Sequence, residues 1–185
     1  MIINGSPHKD GCTVRGIKEM KTILQAEGVE TVEIDVPADC PSCMACGYCK
    51  KQGNGCVRKD LVNDAVELFN ACDGMIVASP VYFAGASGSL MSFLDRFFFS
   101  NHYPLNMKAA CAFSSSRRAG NLTSNDMINK FFSISGMNIV TSTYWNDIHG
   151  SRKENVNEDE EGLQTLRNLA RNLVYYLKMR ELAKE

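Results

Sequence analysis

The chain has 185 residues, 44% of them apolar and 22% charged, which suits one compact domain with a substantial core and excludes global disorder. Its 20 basic and 21 acidic side chains leave a formal charge of −1, so a broad polyanion-binding surface of the nucleic-acid kind is not expected. No apolar run approaches the roughly 20 residues that span a bilayer, and the opening Met1-Ile2-Ile3-Asn4-Gly5 has neither a basic nor an apolar leader segment, so the expected location is the cytoplasm.

Short β-branched or apolar runs alternate with longer amphipathic ones. Strands are expected at residues 2–3, 31–35, 74–79, 109–114 and 138–143, and helices at 13–27, 60–71, 87–99, 123–135 and 158–183. The last helix is the best marked. Leu163, Leu166, Ala170, Leu173 and Leu177 recur at three- and four-residue steps, and Asn157 is placed to cap the acidic start Glu158-Asp159-Glu160-Glu161. This alternation, without a linker or an internal repeat, predicts one domain over 1–185 built on a parallel sheet covered on both faces. Ligands of such sheets sit beyond the carboxyl ends of the strands, so the segments that follow the strands carry the candidate chemistry.

The first of these, Gly5-Ser6-Pro7-His8-Lys9-Asp10-Gly11-Cys12-Thr13, joins a strand to a helix start with small residues, hydroxyls and free backbone N–H groups. That composition suits a phosphate at the positive end of a helix. It is not a Walker A loop, because five residues separate its glycines and Cys12 stands where that motif has lysine. An ordinary Gly/Ser turn capped by Thr13 fits the same residues. After the third strand, Pro80 stiffens the exit of Ser79-Pro80-Val81-Tyr82-Phe83-Ala84-Gly85, and Gly85 and Gly88 permit close backbone approach. The fourth strand leads into Ser114-Ser115-Ser116-Arg117-Arg118-Ala119-Gly120, whose arginines are either ligand-facing or simply solvated.

Eight cysteines are too many for chance core filling, and five of them crowd into Cys40, Cys43, Cys46, Cys49 and Cys56. Cys72 and Cys111 read as small buried hydrophobes. The spacing Cys43-x2-Cys46-x2-Cys49-x6-Cys56 lies in a loop over 37–59 that lacks the apolar periodicity to order itself. Thiolates two residues apart, with a fourth a few residues on, can converge on one [4Fe-4S] cluster. A structural zinc site would pair two knuckles across a longer gap. Free thiols or a labile disulfide fit the same pattern.

These segments together resemble the NAD(P)H-dependent FMN reductases of the flavodoxin-like fold. The resemblance rests on Gly5-Ser6-Pro7-His8 through Gly11-Cys12-Thr13, on Ser79-Pro80-Val81-Tyr82-Phe83, on Leu90-x2-Phe93-Leu94-Asp95-Arg96 and on Asp159-Glu160-Glu161-Gly162-Leu163, and so runs along nearly the whole chain. Cys12 departs from the asparagine frequent in the family. The cysteine spacing is similar to the compact motif of the iron-sulfur flavoprotein branch, in which the cluster exchanges electrons with the flavin.

The resemblance implies a three-layer α/β fold with five parallel strands in the order 2-1-3-4-5 and FMN at their carboxyl edge. The phosphate would sit on Ser6, His8, Cys12 and Thr13, and the ring against Pro80, Val81, Tyr82 and Phe83 and the loop holding Ser114, Arg117, Arg118 and Gly120. Cys43, Cys46, Cys49 and Cys56 would be the metal ligands. The implied reaction takes hydride from NAD(P)H and delivers electrons to a small-molecule or protein acceptor, with no side-chain acid or base because the flavin carries the chemistry. A homodimer or homotetramer is expected, with part of the apolar run Phe97-Phe98-Phe99 and Tyr103-Pro104-Leu105 buried between subunits. Two other readings remain: a flavodoxin-type or iron-sulfur-flavoprotein-type electron carrier that turns NAD(P)H over poorly, and a cysteine phosphatase on the spacing Cys111-x5-Arg117. Against the second, Cys111 falls inside a strand, no glycine opens its turn, and neither serine nor threonine follows Arg117.

Overall fold

A computed structural model describes residues 1–183; residues 184 and 185 of the expected domain lie outside the described residues. The elements run β1 (Ile2–Asn4), α1 (Cys12–Ala26), β2 (Glu33–Asp35), α2 (Tyr48–Gln52), α3 (Leu61–Asn70), β3 (Gly74–Tyr82) and β4 (Gly85–Ala86). They continue with α4 (Gly88–Ser100), β5 (Ala109–Ser116), α5 (Asn121–Ile134), β6 (Asn138–Ile139), β7 (Asp147–His149), α6 (Lys153–Val156) and α7 (Glu160–Leu182). The sheet order is β2-β1-β3-β5-β6, all parallel, with β4 paired antiparallel to β3 and β7 parallel to β5. This is the flavodoxin-like order, 2-1-3-4-5 among the parallel positions, with the fifth position occupied by two short strands.

The strands alternate between two cores because successive side chains point to opposite faces. Ile3, Met75, Val77, Ala110 and Ala112 pack with α3, α4 and α5, whereas Ile2, Ile76, Ala78, Cys111 and Phe113 pack with α1 and α7. Burial on both faces explains why these strands read as continuous apolar runs. α1 lies close on the sheet, since a Cβ on Gly16 would stand 2.7 Å from the Phe113 ring.

Two expectations need correction, the extent of the fifth strand and the cap of the last helix. The strand expected over 138–143 ends at Ile139, and the rungs beside the carboxyl half of β5 are filled by β7 instead. Asn146 closes the gap: its Nδ2 donates to Ala112 O at 3.0 Å and its carbonyl accepts Ser114 N at 3.2 Å. The cap of α7 is Asp159, which accepts Gly162 N, while Asn157 belongs to the end of α6 and accepts Arg15 Nε at 2.7 Å. Phe97 is fully buried against Phe93 and Phe69 and Phe98 packs on Phe131, whereas Phe99 is exposed, so part of the aromatic run enters the core and part stays on the surface, as expected. Cys111 is buried inside β5, as its place in the sequence led us to expect, and burial pushes its thiol up to about 12, which removes the nucleophile that phosphatase chemistry requires. No helix among the described residues is long and apolar enough to cross a membrane.

Candidate functional site

Because β1, β3 and β5 are parallel, the segments that follow them share one edge of the sheet. After β1, Asn4 Oδ1 accepts Ser6 N at 3.1 Å and Ser6 Oγ accepts His8 N at 3.2 Å, which turns the chain back toward α1. Gly11 occupies the N-cap of α1, no side chain caps the helix, and its first turn contains no acid. The leading N–H groups of this helix therefore face the loop with no carboxylate in competition, the arrangement that holds an anion. Asp10 is turned outward to Lys153, whose hydrogen bond holds its carboxyl below the usual range. Ser6 and Thr13 are buried at this cradle, and His8 is exposed at its mouth. The Cys12 thiol points elsewhere, donating to Gly150 O at 3.3 Å, and burial raises its pKa.

β3 continues into a hairpin with β4. Its tip holds Phe83 and Ala84 at φ 51° and 59°, a left-handed pair that glycine or asparagine would normally occupy, and leaves Phe83 fully exposed. Pro80 and Val81 are half-buried and Tyr82 is exposed along the same strand. Ser87 fixes the hairpin to the first loop, donating Oγ to Gly5 O at 2.7 Å and N–H to Ser79 Oγ at 3.0 Å.

After β5, Ser116 Oγ donates to Asn121 Oδ1 at 2.6 Å and Asn121 Nδ2 donates to Ser114 O at 3.0 Å. The Ser114 hydroxyl is spent on Asn121 O, so that residue shapes the turn from within. Arg117 and Arg118 are exposed. Gly120 has φ +96° and seats the turn against the hairpin, since a Cβ there would stand 2.8 Å from Ala84 Cα and 2.9 Å from Val81 Cγ1. The structure thus gathers the residues expected around a phosphate and a flat ring on three adjoining loops.

A fourth wall was not foreseen. The turn after β7 joins this edge through Gly150 N–H to Ser116 O at 2.9 Å, and His149 N–H donates to Asp159 Oδ2 at 2.7 Å. The signal available in the sequence was the short Asp147-Ile148-His149-Gly150, one apolar residue between polar neighbours and a closing glycine.

Cys43, Cys46, Cys49 and Cys56 line a single cavity of about 360 Å³ against α4, where Arg96, Phe99 and Ser100 form the opposite wall. The loop reaches this shape through left-handed turns at Ala45 (φ 52°) and Gly47 (φ 70°), and Ala45 N–H donates to Cys43 Sγ at 3.4 Å. Asn63 clamps the other end, accepting Cys56 N at 2.6 Å and donating to Cys56 O at 3.1 Å. Cys40 does not line this cavity; it packs against the core, and burial raises its pKa. Among the described residues no three ligating side chains gather on one ion. A single zinc would need four sulfurs about 2.3 Å from one centre, and these thiols do not gather so. A larger cavity, about 620 Å³, lies at the far edge around Met1, Val29, Cys72 and Leu177 and contains none of these loops.

Residues 1–151 match the NADPH-dependent FMN reductase family. The chain belongs to that family. Membership makes it an FMN-dependent oxidoreductase, and the uncapped start of α1 beside the buried hydroxyls of Ser6 and Thr13 fits the phosphate of that cofactor. This FMN reductase family member is 30% identical over 191 residues to an iron-sulfur flavoprotein of Methanocaldococcus jannaschii, with 96% of each chain covered. It is 29% identical over 183 residues to an iron-sulfur flavoprotein of Methanosarcina thermophila, covering 96% of this chain and 94% of that one. A solved archaeal flavodoxin superposes with a TM-score of 0.63 at 13% identity over 96% of both chains, a likeness of fold.

Proposed function

We propose that this FMN reductase family member takes reducing equivalents from NAD(P)H and passes them singly to an acceptor by way of a [4Fe-4S] cluster. The observation that carries the reading is that four cysteines of one short loop line one cavity in a chain that also has an anion cradle at the carboxyl edge of its sheet. Bound FMN supplies the hydride acceptor and the cluster a one-electron outlet. In this reading Ser6, Thr13 and the α1 N–H groups hold the phosphate, with His8 at the mouth and Cys12 contributing its backbone. Pro80, Val81, Tyr82 and Phe83 flank the ring, and Gly120 lets the turn of Ser114 approach it. The exposed Arg117 and Arg118 are free to meet the ring's carbonyl edge or the phosphate of the nicotinamide substrate. Cys43, Cys46, Cys49 and Cys56 hold the cluster.

The test is an anaerobic NADPH titration followed at the flavin band, together with iron counts after reconstitution. Rapid bleaching, with about four irons per chain that fall sharply in Cys49→Ala, is expected. A flavin inert to NADPH and NADH indicates an electron carrier. Negligible iron in both proteins leaves an FMN reductase with a thiol-rich loop.

A further inference from the structure

Two donors in the wall of the cysteine cavity stand out. Ser100 is 1% exposed, and its Oγ has no hydrogen-bond partner among the described residues. A buried hydroxyl in that state is unfavourable unless something fills the space it borders. Arg96 lies one helical turn earlier on the same face of α4 and is also 1% exposed. Its Nε–H donates to Cys56 Sγ at 3.4 Å, Nη2 to Asp60 Oδ1 at 2.7 Å and Nη1 to Pro41 O at 3.4 Å. An arginine guanidinium stays charged at every working pH, and Asp60 is its ion-pair partner here. Both side chains line the cavity that the four thiols line.

We propose that Arg96 and Ser100 are positioning residues that direct N–H and O–H donors at the sulfur atoms of an iron-sulfur cluster and thereby raise its reduction potential. The inference rests on the cluster reading of the cysteine loop and extends it to two residues outside that loop. Reduction transfers one electron from the reductant to the cluster and adds one unit of negative charge without a proton. Hydrogen bonds to sulfur and a fixed positive charge stabilise the reduced form more than the oxidised one, and they act more strongly away from bulk water. Asp60 opposes this effect, because its carboxylate neutralises part of the Arg96 charge. Lys50, the other cation at the cavity, is exposed and screened by solvent. A purely structural Arg96 would tie α3 to α4 and leave the potential alone.

The experiment uses the full chain, reconstituted anaerobically with iron, sulfide and FMN. Iron is counted, and the cluster is titrated with dithionite under EPR in wild type, Ser100→Ala, Arg96→Gln and Asp60→Asn. Expected are equal iron in all four, lower cluster potentials in Ser100→Ala and Arg96→Gln, a higher one in Asp60→Asn, and an unmoved flavin potential in each. Cluster potentials that coincide with wild type in Ser100→Ala and Asp60→Asn overturn the proposal. Those two variants decide even where Arg96→Gln fails to load, since the amide introduced by Asp60→Asn still caps α3 and the Ser100 hydroxyl anchors nothing. Full iron with unmoved potentials overturns this inference alone. No iron in wild type overturns it together with the cluster reading.

Discussion

Thr13 Oγ1 and Ser115 Oγ stand 2.7 Å apart in the interior, joining the first turn of α1 to the end of β5 across 102 positions of chain. Each hydroxyl keeps the other fixed beside the start of α1. Only one of the two hydroxyl hydrogens lies in the bond, so whichever oxygen accepts keeps its own O–H to donate to a ligand.

The phosphate cradle is tested by removing its hydroxyls. Ser6→Ala combined with Thr13→Ala is expected to weaken FMN binding at least tenfold, since each charge-assisted bond contributes roughly 1.5 to 3 kcal/mol. Fluorescence titration of the apoprotein measures it, and far-ultraviolet circular dichroism checks that the fold is kept. Unchanged affinity would place the phosphate elsewhere.

Gly120→Ala tests the contact between the hairpin and the turn after β5. The added methyl meets Ala84 Cα at 2.8 Å, and φ +96° is strained for alanine. A loss of about 1 to 3 kcal/mol in urea denaturation is expected, accompanied by weaker flavin binding because two loops separate. Stability and affinity equal to wild type would mean that the loops do not meet as described.

The parallel order and the three principal loops were legible in the sequence because apolar runs and Gly/Ser/Pro segments alternate so regularly. That Cys43, Cys46, Cys49 and Cys56 come together was legible from their spacing, but the cavity they line was not. The hairpin tip was not, since Phe83 and Ala84 lack every preference for the left-handed backbone they adopt. Nor was the division of the fifth strand: residues 138–143 look uniformly strand-like, and only the side chain of Asn146 shows where pairing stops and resumes. How the phenylalanine run divides between core and surface was hidden for a third reason. Its partners Phe69, Phe131 and Phe132 come from helices distant in sequence, so the local apolar excess has an internal destination.

Thiol reactivity should divide the cysteines. In the folded apoprotein at pH 8, Cys43 and Cys46 are exposed and should react promptly with a disulfide reagent, whereas Cys111 should react only on unfolding. The Cys111 pKa of about 12 lies above that of an unfolded thiol, about 8.5, so its contribution to stability is complete below pH 8.5 and declines as pH rises toward 12. Replacing Cys111 with alanine should flatten that alkaline limb. Prompt labelling of Cys111 in the native state would contradict its burial.

The acid limb should depend on Glu19. Burial alone would raise its pKa, but Arg15 and Arg167 hold it below the usual carboxylate value. Its contribution is therefore present above about pH 4.5 and lost as pH falls through the lowered value. Glu19→Gln should cost about 1 kcal/mol at pH 7 and reduce the slope of stability against pH in acid. Equal slopes in mutant and wild type would show that the contact of α1 with α7 does not depend on this charge.

The interruption of the fifth strand also bears on how this scaffold tolerates change in length. The chain leaves the sheet after Val140 N–H reaches Ala110 O and returns where Ser114 N–H reaches Asn146 O, so the departure and return points are anchored by separate bonds to β5. Between them Tyr144 and Trp145 are exposed, and lengthening a surface loop costs little closure entropy. Thr141, Ser142 and Thr143 are hydrogen-bonded to α7, so the junction of Tyr144 and Trp145 is the natural graft point, at which a peptide or a reporter domain can be inserted while Asn146 keeps the two ends in register.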